Sequence, residues 1–241
     1  MDLEVYAQKW GVTKEYLMTN DFFVVAKKTP RLKLYNMAQQ IRREMGLAPD
    51  EKFLPLAFIE HYLMGKYPYL EFEVVPENEW EQGESVHGFC SISESEPITI
   101  YIREDVYNGA MNGISRDVET ITHEGAHMVL LYNFGLECIE TKKYEYVKDS
   151  LEGDAEAQAD ALVSFLLCPN TMIAKNRTVT KLMKASGATK SLVIKRLNCY
   201  KQALRNKENI DKKGGEEYLR RHLNNPSFVI DTLLRIEKDS L

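Results

Sequence analysis

A chain of 241 residues, 44% of them apolar, is long enough to bury a proper core and suits one domain with an appendage or two small domains. Its net charge of −5 conceals an asymmetry: residues 171–241 carry 16 Lys and Arg against 7 Asp and Glu, a balance of +9, and the rest carries −14. The apolar residues nowhere run on for the length of a bilayer, which excludes an ordinary membrane-spanning helix.

Residues 1–29 are weakly patterned and predict a helix with a turn at Gly11, followed by the apolar patch Phe22-Phe23-Val24-Val25. Pro30 can open a helix that runs to Met45 and is closed by Gly46. Pro55 similarly opens a helix to about Gly65. Residues 70–75 alternate apolar and acidic, as a half-buried strand does. Residues 86–93 and 97–103 predict a hairpin with the polar turn Ser93-Glu94-Ser95-Glu96. Helices are expected over 116–134 and 150–167, joined by a charged link, 137–149, that could form a rim or lid.

Further on, residues 178–197 have the look of a helix-turn-helix, with Gly187 at the turn and Leu182, Met183, Ala188, Val193 and Leu197 as shared core. Thr189, Lys190 and Lys195 would line the exposed helix, a weak signal for DNA contact. A last amphipathic helix is expected over 216–238, approached through Lys212-Lys213-Gly214-Gly215. The cysteines Cys90, Cys138, Cys168 and Cys199 are scattered, with no C-x-x-C pair, and the N-terminus lacks signal-peptide character. Reduced thiols and a cytoplasmic location are therefore expected.

The densest chemistry lies in His123-Glu124-Gly125-Ala126-His127, an H-E-x-x-H run. On a helix the two histidines stand one turn apart on one face, so their rings converge. Neutral imidazoles at that spacing suit Zn²⁺, and Glu124 can reach a water at the metal without being a ligand. Apolar residues at 118, 121 and 128–131 make the helix largely buried, and buried histidines need partners. Catalytic zinc sites usually have three protein ligands. The Ala-rich helix ending at Pro169 offers Glu156, with Asp160 four residues on as acceptor for the distal N–H of a ligand histidine. Glu152 and Asp154 are rivals near the helix start, where acids are favoured by the dipole.

Taken together, H-E-x-x-H and, some 30 residues later, Glu156-Ala157-Gln158-Ala159-Asp160-Ala161 through Leu166-Leu167-Cys168-Pro169 resemble the ImmA/IrrE metallopeptidases. Residues 38–47 and 56–63 are similar to that family's leading helices, and Gly88-Phe89 with Ile98-Thr99-Ile100-Tyr101-Ile102 to its β-ribbon. The resemblance covers roughly residues 30–200. It departs at Gly125, where the family usually has Ile, Leu or Val, and at Cys168, where it usually has Met. A mid-helix glycine costs about 1 kcal/mol relative to Ala and would leave a gap where an aliphatic side chain packs.

The resemblance implies an α+β fold: a mainly helical, zincin-like core with a small antiparallel sheet over residues 1–170, and a basic helical region over 171–241. It also implies a zinc endopeptidase with ligands His123, His127 and Glu156, general base Glu124 and supporting carboxylate Asp160. The expected substrate is a repressor-like transcription factor. Strand 98–103, with Ile100 and Tyr101, would take an extended peptide by main-chain pairing. His87, Tyr101, Tyr144 and His222 are candidates for stabilising the oxyanion. Two other readings stay open: a metal-stabilised binding module that holds a repressor without cutting it, and a DNA-binding regulator acting through residues 178–197.

Overall fold

The computed structural model describes residues 22–26, 31–91, 98–134, 136–140 and 155–212. Among them the fold is α+β and mostly helical, with eight helices, a three-stranded mixed sheet and a two-stranded antiparallel ribbon. The chain divides into two compact units, one of residues 1–29 and 54–160, the other of 30–53 and 161–241. This differs from the expected division at 170. The helix near residue 40 shares a unit with the C-terminal helices rather than with the H-E-x-x-H segment, a grouping that depends on contacts distant in sequence.

In the first unit, β1 (Phe22–Ala26) pairs antiparallel with β5 (Leu136–Glu140). The apolar patch expected at 22–25 is therefore a strand, the helix and Gly11 turn expected ahead of it lie outside the described residues, and the start of the expected rim or lid is a strand too. The aromatic and β-branched run Phe22-Phe23-Val24-Val25 favours extended backbone once a partner strand is supplied. Helix α2 spans residues 55–66 in three pieces: Pro55–Ala57, a π turn at Phe58–Leu63, and Met64–Lys66.

Strand β2 (Leu70–Val75) follows, with Leu70 buried and Glu71 and Glu73 exposed, as its alternation requires. Strands β3 (Gly88–Ser91) and β4 (Ile98–Arg103) pair antiparallel. However, β4 also pairs with β2, in parallel, so the sheet order is β2-β4-β3 and the sheet is mixed rather than antiparallel throughout. The chain reverses twice between β2 and β4, which leaves those two strands pointing the same way.

Ile98, Ile100 and Ile102 of β4 are buried. Helix α3 (Glu104–Met111) leads into α4 (Ser115–Phe134), the helix of the H-E-x-x-H run. Helix α4 packs on α3, on β3 and on the π turn. Its residues Val118, Ile121, Ala126, Met128, Val129, Leu130 and Leu131 are all buried. Helix α5 (Ala155–Leu167) carries Glu156 and Asp160 within this unit, and its remaining residues are counted with the second.

In the second unit, α1 (Arg31–Glu44) buries Leu34, Tyr35, Ala38 and Ile41, one face at helical spacing. Gly46, at φ 75°, follows it in the left-handed conformation that ends many helices. Helices α6 (Asn170–Lys175), α7 (Val179–Ser186) and α8 (Lys190–Lys212) complete the unit. Thr178 caps α7 by accepting from the Lys181 N–H, and Gly187 closes it at φ 73°. Leu182, Ala188, Val193 and Leu197 are buried and Met183 is half-buried, whereas Lys190 and Lys195 are exposed. No helix among the described residues is long and apolar enough to cross a membrane. Cys90, Cys168 and Cys199 are free thiols.

Candidate metal centre

Because residues four apart on α4 share a face, the rings of His123 and His127 meet edge to face, with centroids 4.6 Å apart. Their Nε2 atoms are 2.9 Å from each other. Glu156 reaches across from the first turn of α5 and places Oε2 3.0 Å from His123 Nε2 and Oε1 3.2 Å from His127 Nε2. One donor atom from each of the three residues thus falls within 4.8 Å of the others, a group that could hold a metal ion.

Two imidazole nitrogens facing each other at hydrogen-bond distance, beside a carboxylate, need a proton or a cation between them. Two nitrogens and one carboxylate oxygen, converging from two helices, match the donor set of a divalent transition metal.

Around this group the charges are arranged in a definite order. Asp160 Oδ1 lies 3.4 Å from His123 Nδ1, the nitrogen that faces away from the centre. Burial acts to lower the His123 pKa, but the hydrogen bonds to Asp160 and Glu156 outweigh it and raise it to about 10. Hydrogen bonds from His123 and His127 hold the Glu156 carboxyl well below the usual range. The imidazoles are about one-fifth exposed and the Glu156 side chain about two-thirds exposed, so the centre opens to solvent on the α5 side.

Glu124 belongs to a drier environment. Burial raises its pKa, against the opposing pull of His127 and His123. The group beside it is Cys90 of β3, whose Sγ lies 3.4 Å from Glu124 Oε2. Burial and the nearby Glu124 charge push the Cys90 thiol well up, so it keeps its proton. Sequence reasoning passed over Cys90. The hairpin register contained the signal: Cys90 is paired with Ile100, whose side chain is fully buried.

Several expected participants lie elsewhere. Strand β4 is hydrogen-bonded on both sides, by β2 and by β3, so its backbone has no edge to offer an extended peptide. Ile100 is fully buried, and the Tyr101 ring stacks on Phe89 at 4.9 Å, with Trp80 beyond it at 5.6 Å. The expectation that Ile100 and Tyr101 form the substrate strand is therefore corrected. Among the described residues, β3 pairs with β4 alone, which leaves β3 as the sheet edge beside α4.

His87 places Nδ1 3.2 Å from Arg103 Nη2, and Arg103 in turn makes an ion pair with Asp105, so His87 is engaged outside the converging group. Tyr144, His222, Glu152 and Asp154 lie outside the described residues.

The gap expected at Gly125 does not exist. A Cβ built there would lie 2.5 Å from the Phe58 ring and 3.2 Å from Leu63 Cδ1. Phe58 and Leu63 are five residues apart and fall on one face because the π turn is hydrogen-bonded from i to i+5. The aliphatic side chain missing from α4 is replaced by an aromatic ring from α2.

No family model and no curated protein matches this chain.

Proposed function

We propose that this chain is a zinc-dependent endopeptidase. The observation that carries the reading is the convergence of His123, His127 and Glu156 on one point, with the half-buried carboxylate of Glu124 beside it on the helix of the two histidines. Zinc held there would supply Lewis acidity, polarising a scissile carbonyl and easing the ionisation of water.

The chain's own groups supply the rest. Glu124, its basicity raised by burial, takes the proton from the attacking water and returns it to the leaving amine. Asp160 holds the His123 ring by its Nδ1–H, leaving Nε2 to face the centre. An extended peptide laid along the edge of β3 would pass beside Glu124, and main-chain pairing of that kind tolerates many sequences. The resemblance to ImmA/IrrE proteins supports a repressor-like transcription factor as substrate.

Elemental analysis and cleavage of a proteome-derived peptide library, read by mass spectrometry, test the reading together. The native protein should carry one zinc per chain and cut the library. Glu124→Gln should keep its zinc while losing at least a hundredfold in kcat, the order expected for a general base. Glu156→Ala should lose the metal. Unchanged cleavage by Glu124→Gln, or a native protein that takes up no metal, would sink the assignment.

A further inference from the structure

The zinc-peptidase reading gives Glu124 its role but does not say what holds its carboxylate in place. A glutamate has three rotatable bonds, and a base that must meet one water needs a fixed orientation. Three observations converge on β3. Cys90 Sγ is 3.4 Å from Glu124 Oε2, closer than its 3.7 Å approach to the Glu124 backbone oxygen. The thiol is protonated, so it can only donate to a carboxylate. Gly88, two residues before it on the same strand face, stands where a Cβ would be 3.2 Å from Glu124 Cγ and 2.6 Å from Ile102 Cδ1.

We propose that strand β3 seats the general base: Cys90 orients the Glu124 carboxylate through an S–H···O hydrogen bond, and Gly88 leaves the space its methylene needs. Cys90 is a positioning residue; it acts through Glu124 rather than on the substrate. The proposal rests on the reading of Glu124 as the base. It places both residues of the seat on the strand whose outer edge would carry the peptide, so peptide binding and base orientation share one element.

The experiment uses the zinc-loaded full chain with Cys90→Ala, Cys90→Ser and Glu124→Ala, each assayed for zinc content, kcat and KM. Cys90→Ala should lower kcat about two- to tenfold, the value of one hydrogen bond from a weak S–H donor, with KM and zinc content unchanged. Cys90→Ser restores a donor at the same place and should recover most of the loss.

A spectroscopic readout is independent of turnover. The S–H stretching band of Cys90, isolated by Raman difference against Cys90→Ser, should lie below that of an unbonded thiol. It should move up in Glu124→Ala. A band that does not move in Glu124→Ala, or an unchanged kcat in Cys90→Ala, would overturn the seat while leaving the peptidase reading intact. A moving band in a zinc-loaded native protein that cleaves nothing would overturn the peptidase reading, and with it the purpose assigned to the seat.

Discussion

His123 is held from two sides, and the two carboxylates do different things. Glu156 approaches Nε2, the nitrogen that would face a metal, whereas Asp160 approaches Nδ1 at 3.4 Å. An imidazole can present a lone pair at Nε2 only if its proton sits on Nδ1, and a carboxylate at Nδ1 favours that tautomer. Asp160→Ala should therefore weaken zinc binding about ten- to hundredfold without removing a ligand. Competition with a chromophoric chelator measures this directly. Equal affinity in the two proteins would reduce Asp160 to a surface acid.

At the scale of elements, the junction of α2 and α4 explains a residue that looks wrong in isolation. Glycine in mid-helix is unfavourable by about 1 kcal/mol, yet at Gly125 any side chain would strike the Phe58 ring, which is fully buried. The π turn turns Phe58, Ile59 and Leu63 inward together, and all three are completely buried. Gly125→Val should lower stability in urea by about 1–3 kcal/mol through overpacking, despite removing a glycine. Phe58→Ala alone should also destabilise, by about 3–5 kcal/mol. The double variant should be more stable than the sum of the two losses, because one substitution vacates the space that the other fills. Strict additivity would show that the two residues do not share that space.

Across the whole molecule, each compact unit has its own kind of core. The first is built on the buried isoleucines of β4 and the apolar face of α4. The second surrounds two buried arginines that pair with neutral acceptors. Arg42 donates through Nη1 to the Leu166 carbonyl at 2.7 Å, and through Nη2 to the carbonyls of Ala48 and Glu51. Arg196 donates to the Cys168 carbonyl and the Asn170 side chain while lying over the Phe165 ring.

Such contacts satisfy backbone oxygens around the end of α5 and the loop after α1, where no helical N–H is available. Arg42→Met keeps the volume but removes the guanidinium donor from the Leu166 and Glu51 oxygens, whereas the Ala48 oxygen still accepts from the Glu51 N–H. It should cost about 2–4 kcal/mol in chemical unfolding. A loss below about 0.5 kcal/mol, the level of a surface substitution, would mean that other donors replace it.

What the sequence determined by itself was local. The spacing of His123 and His127 on a helix, Glu156 and Asp160 one turn apart, the strand at 70–75 and the stop at Gly187 all follow from periods of two and 3.6 residues, which neighbouring positions set. Only the tertiary structure decided the rest. The insertion of β4 between β2 and β3, which among the described residues leaves β2 and β3 at the edges, depends on pairings between separate segments. So do the β1–β5 ribbon, the ring that fills Gly125 and the thiol that meets Glu124. Alternation along a strand tells which side chains face inward, but not which strand lies beside it. That choice is made when distant apolar faces are buried together, and it carries no short-range signature.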